Sequence, residues 1–311
     1  MQYFRKNTAA VQNDGKILDP ESLQNTFNIK VIDRKGFTML SVLYEDKDIL
    51  AVIKPAGIES QSTRGFARDM VSEIRRYLAA PLGNPQNIHK LATKSSTRPN
   101  RAQPPYVGVI HRLDRPVSGI MVYAKNRTAA GALSTLMQQG KMEKWYKAVV
   151  CGKPVDNQGT YVDYLRQIQG ENRSEIVDKS AEGSRRAELK YRVAAQTERQ
   201  EEGEKIYSLV EIRLLTGRHH QIRVQFSSRG IPLYGDEKYG TVSLCAGSEK
   251  TSVLPHPFPP HKPTPLALCA FRLVFPHPVT GKRLEFQMEP SGGAFDWFKT
   301  AESESLGTET V

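Results

Sequence analysis

The sequence predicts an α+β fold with a central, mostly antiparallel mixed sheet and flanking helices and loops. Short apolar runs of strand length dominate the 311 residues, and helical patterns interrupt them at irregular intervals. Apolar residues make up 39% of the chain and charged residues 25%, which permits a sizeable core. The glycine-rich phosphate loops that accompany doubly wound nucleotide-binding sheets do not occur in the sequence.

The first predicted element is a β-hairpin. Residues 1–40 are polar and weakly patterned, so we interpret them as an N-terminal extension. Two short apolar runs then occupy residues 41–57, and the acidic turn 45–48 separates them. The second run ends in the chain-breaking loop 54–57, with the sequence KPAG. A helix is predicted at 67–80, where apolar residues recur at helical spacing.

A basic stretch follows the predicted helix. Residues 81–105 are rich in Pro, Asn and Ser, so they are predicted to form a loop or insertion. This stretch contains no acidic residue and carries four cations, Lys90, Lys94, Arg98 and Arg101. Two interpretations stay open. The stretch is either a solvated connector or a basic finger that contacts the phosphates of a nucleic acid.

Strands dominate the rest of the predicted fold. Buried or alternating strands are predicted at 119–125, 144–151, 187–195 and 206–215. A helix is predicted at 128–142, whereas 221–226 is too short for its periodicity to separate a strand from a helix. Residues 266–275 and 282–287 are predicted to form a closing hairpin, and residues 291–311 a C-terminal tail.

The charge and the cysteines limit the class of protein. Lys and Arg number 44 against 33 Asp and Glu, so the net charge is +11 and favours a polyanionic partner. The three cysteines are far apart and predict neither a disulfide framework nor a cysteine zinc site. No apolar run has bilayer-spanning length and no secretory signal is visible, so we expect a cytoplasmic protein; a short organellar leader is the alternative.

The strongest candidate for chemistry is Asp114. It lies in the segment HRLDRPVSG, between an apolar strand start at 106–110 and the predicted buried strand 119–125. Arg112 and Arg115 flank it. A carboxylate beside guanidinium groups stays ionised and can act as a nucleophile. The alternative, a structural salt bridge in a turn, stays open at this point.

Two further segments carry candidate side chains. In the segment LTGRHHQIR, Arg218 and Arg223 present cations, while His220 and Gln221 can hydrogen-bond a phosphate or a base edge. The adjacent histidines lack further ligands at helical spacing, so no metal is predicted. In the segment KWYKA, Tyr146 can stack on a base or accept a proton, or it is an ordinary sheet tyrosine.

These segments together resemble the RluA-type RNA pseudouridine synthases. Residues 111–119 resemble the family's HRLD-x-x-[ST]-G signature, and residues 215–223 resemble its L-x-T-G-R-x-H-Q-I-R motif. The other matching blocks are the opening hairpin with its KPAG loop, the K-x-Y-x-A segment at 144–152, PLYGDEKYG at 232–240 and the closing hairpin at 266–278. The resemblance runs from about 41 to 290 in the family's order.

The resemblance implies a catalytic domain at 41–290 and an isomerase that converts uridine in structured RNA, rRNA or tRNA, to pseudouridine. It implies that Asp114 is the catalytic aspartate, Tyr146 the active-site tyrosine and Arg218 the basic partner of Asp114. It also assigns RNA-binding positions to Lys54, His111, Arg112, Arg115, His220, Gln221 and Arg223. Residues 1–40 show no S4-type RNA-binding module, and Cys269 stands where relatives often carry His.

The implied reaction needs no cofactor, because it neither oxidises nor reduces the base and imports no group. The target uridine must be flipped out of its stack to meet the aspartate. We expect a monomer without an obligate protein partner. The rival functions are a non-catalytic RNA-binding protein on the same scaffold, another uridine-modifying enzyme and a metal-dependent hydrolase. The last two lack the sequence features that they would need.

Overall fold

The computed structural model describes residues 40–62, 68–79, 103–199, 205–240 and 264–299. The chain divides into two compact units. The first contains Met1–Glu143 and Ala270–Glu289, and the second contains Lys144–Cys269 and Pro290–Val311. The predicted extension up to residue 39, the basic-loop cations Lys90, Lys94, Arg98 and Arg101, and the end of the tail lie outside the described residues.

Strands outnumber helices in these ranges, as the sequence predicts. In chain order, the elements are β1 (Ser41–Glu45), β2 (Ile49–Lys54), α1 (Met70–Ala79), β3 (Gly108–Val109), β4 (Ser118–Ala124), α2 (Arg127–Gln138), β5 (Glu143–Cys151), β6 (Gln158–Gln167), β7 (Ser174–Ile176), β8 (Arg185–Arg199), β9 (Lys205–Leu214), α3 (Gln221–Ser227), β10 (Leu268–Pro276), β11 (Arg283–Gln287) and a 3₁₀ helix (Gly293–Phe298).

The first unit is built on hairpins. β1 and β2 pair antiparallel, β2 pairs antiparallel with β4, and the neighbouring β10 pairs antiparallel with β11. Both predicted hairpins are therefore confirmed. The start of β4 requires glycine, because Gly119 has a φ of +136° and a Cβ there would lie 2.4 Å from the carbonyl oxygen of Ala270.

Helix α2 covers this sheet, with Leu133 fully buried in a cluster that includes Ile120 and Phe275. The helix begins where the side chain of Asn126 accepts a hydrogen bond from the Ala129 N–H at 2.8 Å. It ends at Gln138, so the predicted end at 142 is wrong. The chain turns at Gly140, where φ is +70°, and this conformation stops the helix although Met142 beyond it is buried.

The second unit is an antiparallel sheet in the order β5–β9–β8–β6–β7. Strands β5, β8 and β9 confirm the predictions, although β8 extends further in both directions than 187–195. Strands β6 and β7 were not predicted, because β6 is polar and half exposed and shows little apolar alternation.

Helix α3 decides the ambiguous segment at 221–226 in favour of a helix. All seven of its residues are buried, and it follows His220, whose φ of 52° is left-handed. The 3₁₀ helix places Trp297 against Tyr207 and Tyr234, with ring centroids 5.0 and 4.8 Å away. Across the ranges that the structure covers, no helix combines the length and the apolar character that a bilayer crossing demands.

Candidate active site

Asp114 lies on a loop that the first unit holds at several points. The turn closes where the Val117 N–H donates to the Asp114 carbonyl at 3.0 Å. Just before Asp114, the hydroxyl of Ser60 donates to the Leu113 carbonyl at 2.8 Å and accepts from the Leu113 N–H at 3.0 Å. The backbone on both sides of the half-buried aspartate is therefore fixed by hydrogen bonds.

The KPAG loop is fastened directly to the Asp114 loop. The Gly57 N–H donates to the Arg115 carbonyl at 2.7 Å, and Nε of Arg115 donates back to the Gly57 carbonyl at 3.0 Å. Gly57 has a φ of +88°, which is left-handed and favours glycine. Two segments that the sequence separates by more than fifty residues thus form one structure.

The buried side chain of Lys54 organises this junction. Its ammonium group donates to the carbonyls of Pro55 at 3.0 Å, Arg115 at 3.2 Å and Val117 at 2.6 Å. An ammonium has three N–H donors, so all three are used. Burial lowers the pKa of Lys54 to about 8, and the negative charge of Asp114 opposes that shift.

The other predicted residues of the first unit have different surroundings. Arg112 and Arg115 are exposed, and Arg115 uses its Nε on the backbone of Gly57. Nε2 of His111 accepts a hydrogen bond from the Val122 N–H at 3.2 Å, so the proton of the neutral ring lies on Nδ1. The structure therefore joins the Asp114 loop, Lys54 and Arg115 in one hydrogen-bonded region, and it places His111 against β4.

In the second unit, the turn before α3 is held by one buried amide. Oε1 of Gln221 accepts from the hydroxyl of Thr216 at 2.8 Å and from the Arg218 N–H at 3.0 Å. The guanidinium of half-buried Arg218 also donates from Nε to the Arg186 carbonyl at 2.9 Å. Burial, and then the charge of Arg218, lower the pKa of the Lys144 ammonium.

A row of buried amides continues from this turn into the sheet. Nε2 of Gln221 donates to Oε1 of Gln225 at 3.0 Å, and Nε2 of Gln225 donates to Asp163 on β6 at 2.6 Å. Arg229 pairs with the same carboxylate at 3.0 Å. Asp163 and Gln225 were missed in the sequence, although Gln225 follows Gln221 by four residues on the same helix face.

His220 and Arg223 are buried inside the second unit. Arg223 forms a bidentate pair with Asp236, with N–O distances of 2.8 and 2.7 Å. Nδ1 of His220 lies 2.8 Å from the hydroxyl of Tyr239. Burial first, and then the charge of Arg223, lower the pKa of His220 to about 2, so its ring is neutral at physiological pH.

These contacts bear on the predicted RNA-binding positions. His220, Gln221 and Arg223 are at most 6% exposed, and their polar atoms have partners within the fold. Their contact with RNA stays a prediction, and the burial favours a role in positioning the turn that carries Arg218. Tyr146 on β5 is also buried, and it pairs across the sheet with Ile212. Asp114 belongs to the first unit, whereas Tyr146 and Arg218 belong to the second.

One group of side chains in the described ranges has metal-ligand character, namely Asp46, Asp48 and His277. Most of its ligand atoms are already engaged, although Oδ2 of buried Asp48 has no hydrogen-bond partner among the described residues. Nε2 of His277 lies 2.8 Å from Oδ2 of Asp46, and Nδ1 of His277 accepts from two backbone N–H groups. Oδ1 of Asp46 also accepts from two backbone N–H groups. The group therefore fastens the turn of one hairpin to the turn of the other.

The mostly antiparallel sheet and the hydrogen-bonded Asp114 loop agree with the class that comparisons with known proteins identify, the RNA pseudouridine synthases. The family model described as RNA pseudouridylate synthase matches residues 48–228. The chain belongs to this family, in its RluA-type branch, and is therefore an RNA-modifying isomerase. The predicted α+β fold, the predicted family and the predicted reaction, pseudouridine formation, are confirmed. The substrate is RNA.

Curated relatives agree with this placement. An uncharacterized RNA pseudouridine synthase from Aquifex aeolicus (strain VF5) is 30% identical over 250 residues, which are 80% of this chain and 69% of the relative. The ribosomal large subunit pseudouridine synthase D of Zymomonas mobilis subsp. mobilis is 30% identical over 251 residues, again 80% of this chain and 69% of the relative.

Two solved structures share the fold. Human RNA pseudouridylate synthase domain containing 1 superimposes with a TM-score of 0.56 at 22% identity, over 84% of this chain and 86% of that chain. Human RNA pseudouridylate synthase domain containing 4 gives a TM-score of 0.54 at 20% identity, over 80% of this chain and 88% of that chain. At this identity the likeness supports the α+β fold.

Proposed function

We propose that this isomerase uses Asp114 as its catalytic carboxylate on a flipped-out uridine, and that its target lies in large-subunit ribosomal RNA. The observation that carries the first part is the fastened loop, in which buried Lys54 holds the carbonyls on either side of Pro116, next to Asp114. The second part rests on relatives named as ribosomal large subunit synthases. A tRNA target is the alternative outcome of the test.

The chemistry needs one group that holds a sugar or base fragment while the base turns. The N1–C1′ bond of the uridine breaks, a C5–C1′ bond forms, and the C5 proton passes to N1 or to solvent. A carboxylate either adds to C1′ or removes the C2′ proton, and both routes return the carboxylate unchanged. Flipping the base costs a few kcal/mol of stacking, which phosphate contacts to basic residues offset.

Asp114 is suited to this work because its backbone does not need to reorganise. The hydrogen bonds of Leu113 and Val117 fix the loop before RNA arrives. The negative charge of Asp114 raises the pKa of Lys54 against the effect of burial, which supports an electrostatic interaction between the two side chains. Tyr146 and Arg218 are the further proposed catalytic residues, as base-stacking proton acceptor and as cation, and Tyr146→Phe and Arg218→Gln test those roles.

The test is pseudouridine mapping across cellular RNA in a strain that lacks this gene. Complementation with the wild-type gene should restore one or a few pseudouridines, and Asp114→Asn should restore none. Asp178→Asn is the matched control, because Asp178 is an exposed loop carboxylate of the second unit. A complete map in the Asp114→Asn strain would overturn the assignment. Loss confined to tRNA would reject the ribosomal target and keep the enzyme.

We also propose that the enzyme works in the cytoplasm as a monomer, without cofactor or obligate protein partner. The support is the isomerisation itself, which moves no electrons to an acceptor, and a sequence without a coiled-coil seam. Light scattering of the purified chain at working concentration tests the monomer. Activity that requires an added protein would contradict the proposal.

A further inference from the structure

A basic surface lies on the outer face of the second-unit sheet, away from the buried side of Tyr146. We name it the outer-face patch, and its residues are Trp145, Lys147, Gln158, Thr160, Lys190, Arg192, Glu211 and Arg213. A groove of about 490 Å³ is lined by seven of these eight residues, all except Lys147, and its lining comes from β5, β6, β8 and β9. We propose that this patch binds the ribose–phosphate backbone of the substrate RNA beyond the nucleotide that reacts.

The strand register aligns the patch in two rows. In the first row Trp145 lies opposite Arg213, Arg213 opposite Lys190, and Lys190 opposite Thr160. Two residues further along, Lys147, Glu211, Arg192 and Gln158 form the second row in the same way. Directly opposed residues in antiparallel strands share a face, so all eight side chains lie on one side of the sheet.

The charge of the patch is positive. It holds the four cations Lys147, Lys190, Arg192 and Arg213 against the single carboxylate of Glu211. Arg192 already neutralises Glu211 through a contact of 2.8 Å, although the side chain of Arg192 is still 65% exposed. Lys190 is exposed as well. The excess positive charge complements a phosphate backbone, which gains affinity by releasing its counterions.

Trp145 gives the patch an aromatic surface in addition to charge. Its half-exposed indole lies 5.6 Å from the guanidinium carbon of Arg213. Proteins that bind single-stranded nucleic acid combine cations for the phosphates with aromatic rings on which bases stack. An acidic protein would use the cations but would have less use for the indole, so we favour RNA as the occupant.

The position of the patch predicts its effect on kinetics. Tyr146 lies between Trp145 and Lys147 on β5, and because side chains alternate along a strand it points to the opposite, buried face. RNA held by the patch is therefore not the nucleotide that meets Tyr146. Loss of the patch should raise KM and leave kcat largely unchanged.

The first test compares two double variants of the full chain. Lys190→Gln with Arg213→Gln removes two patch cations, and Lys153→Gln with Lys179→Gln removes two exposed cations elsewhere in the same unit. The patch variant should raise KM for the RNA by roughly fivefold and reduce the slope of log Kd against log salt by roughly 1–2. The control should match the wild type. A patch variant that matches the control overturns the proposal.

The second test uses Trp145 as a reporter. The chain has two tryptophans, so in Trp297→Phe all tryptophan fluorescence comes from Trp145. Oligouridylate should quench this emission in Trp297→Phe. It should not do so when Lys190→Gln and Arg213→Gln are added. Poly-glutamate that quenches equally well would assign the surface to an acidic protein and overturn the proposal, as would absence of quenching by RNA.

This inference rests on the proposed RNA reaction, and the two fail separately. A wild-type protein that forms no pseudouridine in its mapped RNA contradicts the proposed function, whatever the patch binds. An active wild type together with a patch variant of unchanged KM and unchanged salt dependence contradicts only the proposed RNA binding by the patch.

Discussion

At the scale of single residues, one buried ammonium holds the loop of the proposed catalytic carboxylate in shape. Lys54 donates to three carbonyls around the KPAG and Asp114 loops. All three hydrogen bonds require Lys54 to be protonated, because a neutral amine has only two N–H donors. The shape of the Asp114 loop is thus linked to the titration of Lys54, a residue that RNA need not touch.

The first prediction concerns pH. Because the folded pKa of Lys54 is about 8 and its ordinary value is 10.5, kcat/KM should fall roughly tenfold between pH 7 and 9. Lys54→Arg, which stays protonated, should not show this fall in kcat/KM. Exposed Lys47→Met should still show it. Between pH 8 and 10.5 the unfolded chain binds the Lys54 proton that the folded chain has lost. The free energy of unfolding should therefore rise with pH across this range. The same fall in Lys54→Arg would show that the titration of Lys54 does not cause it.

The residue scale also shows what the sequence hides. Arg112 and Arg115 are the sequence neighbours of Asp114, but both are exposed. The buried cation that acts on Asp114 is Lys54, sixty residues earlier in the chain. Motif resemblance alone pointed to Lys54, because no periodicity reveals which distant loop will pack beside an aspartate.

At the scale of elements, the buried amides of α3 connect the Arg218 turn to β6. Gln225 is fully buried, and it is the link between Gln221 and Asp163. A buried amide without its partner is destabilising, so this row of side chains stabilises the turn only when every member is present. It gives the Arg218 backbone a single position.

The second prediction removes that link. Gln225→Leu should lower the free energy of unfolding by about 1–3 kcal/mol, because Gln221 and Asp163 each lose a partner. It should also reduce kcat more than it raises KM, since Arg218 loses its fixed position. Gln167→Leu, the same change at an exposed position of β6, is the control. Urea unfolding and steady-state kinetics measure both, and a Gln225→Leu enzyme with full kcat would reject the positioning role.

The third prediction uses a pair of glycines in the first unit. Gly119→Ala should destabilise by more than about 3 kcal/mol, because its Cβ would meet the backbone of Ala270 at 2.4 Å in a left-handed conformation. Gly131→Ala, on the exposed face of α2 with open space around it, should stabilise by about 0.5–1 kcal/mol. Thermal unfolding distinguishes them, and changes of the same sign would refute this interpretation.

Elements with strong apolar patterns could be predicted from the sequence, and polar ones could not. The opening and closing hairpins, β4, β5 and α1 follow alternation or helical spacing. β6 was missed because its side chains are mostly polar and its stability comes from pairing with β8. Asp163 was missed with it, so the β6 end of the row formed by Gln221, Gln225 and Asp163 was invisible before the strand was known.

At the scale of the whole molecule, the net charge of +11 matches a polyanionic substrate, and different segments contribute to it. The outer-face patch is one such contributor. The stretch 81–105, with four cations and no acid, is another, and its role stays a prediction because most of it lies outside the described residues. Charge alone predicted the class of partner and gave no information on which surface binds it.

The fourth prediction concerns that stretch. Deleting residues 90–101 removes Lys90, Lys94, Arg98 and Arg101, and should weaken RNA binding and flatten its salt dependence. As a control, a Gly-Ser linker with four lysines replaces residues 90–101. This variant should recover the slope of log Kd against log salt. Filter binding at several salt concentrations measures both proteins. An unchanged slope after the deletion would show that the stretch is a connector.

The most direct measurement is single-turnover isomerisation by purified protein on the mapped RNA, read by mass spectrometry. Wild type should convert the target uridine, and Asp114→Asn should convert none while it binds the RNA with an affinity within about twofold of the wild type. The combination of lost chemistry with retained binding would assign the reaction to Asp114. Conversion by Asp114→Asn at the wild-type rate would contradict the account.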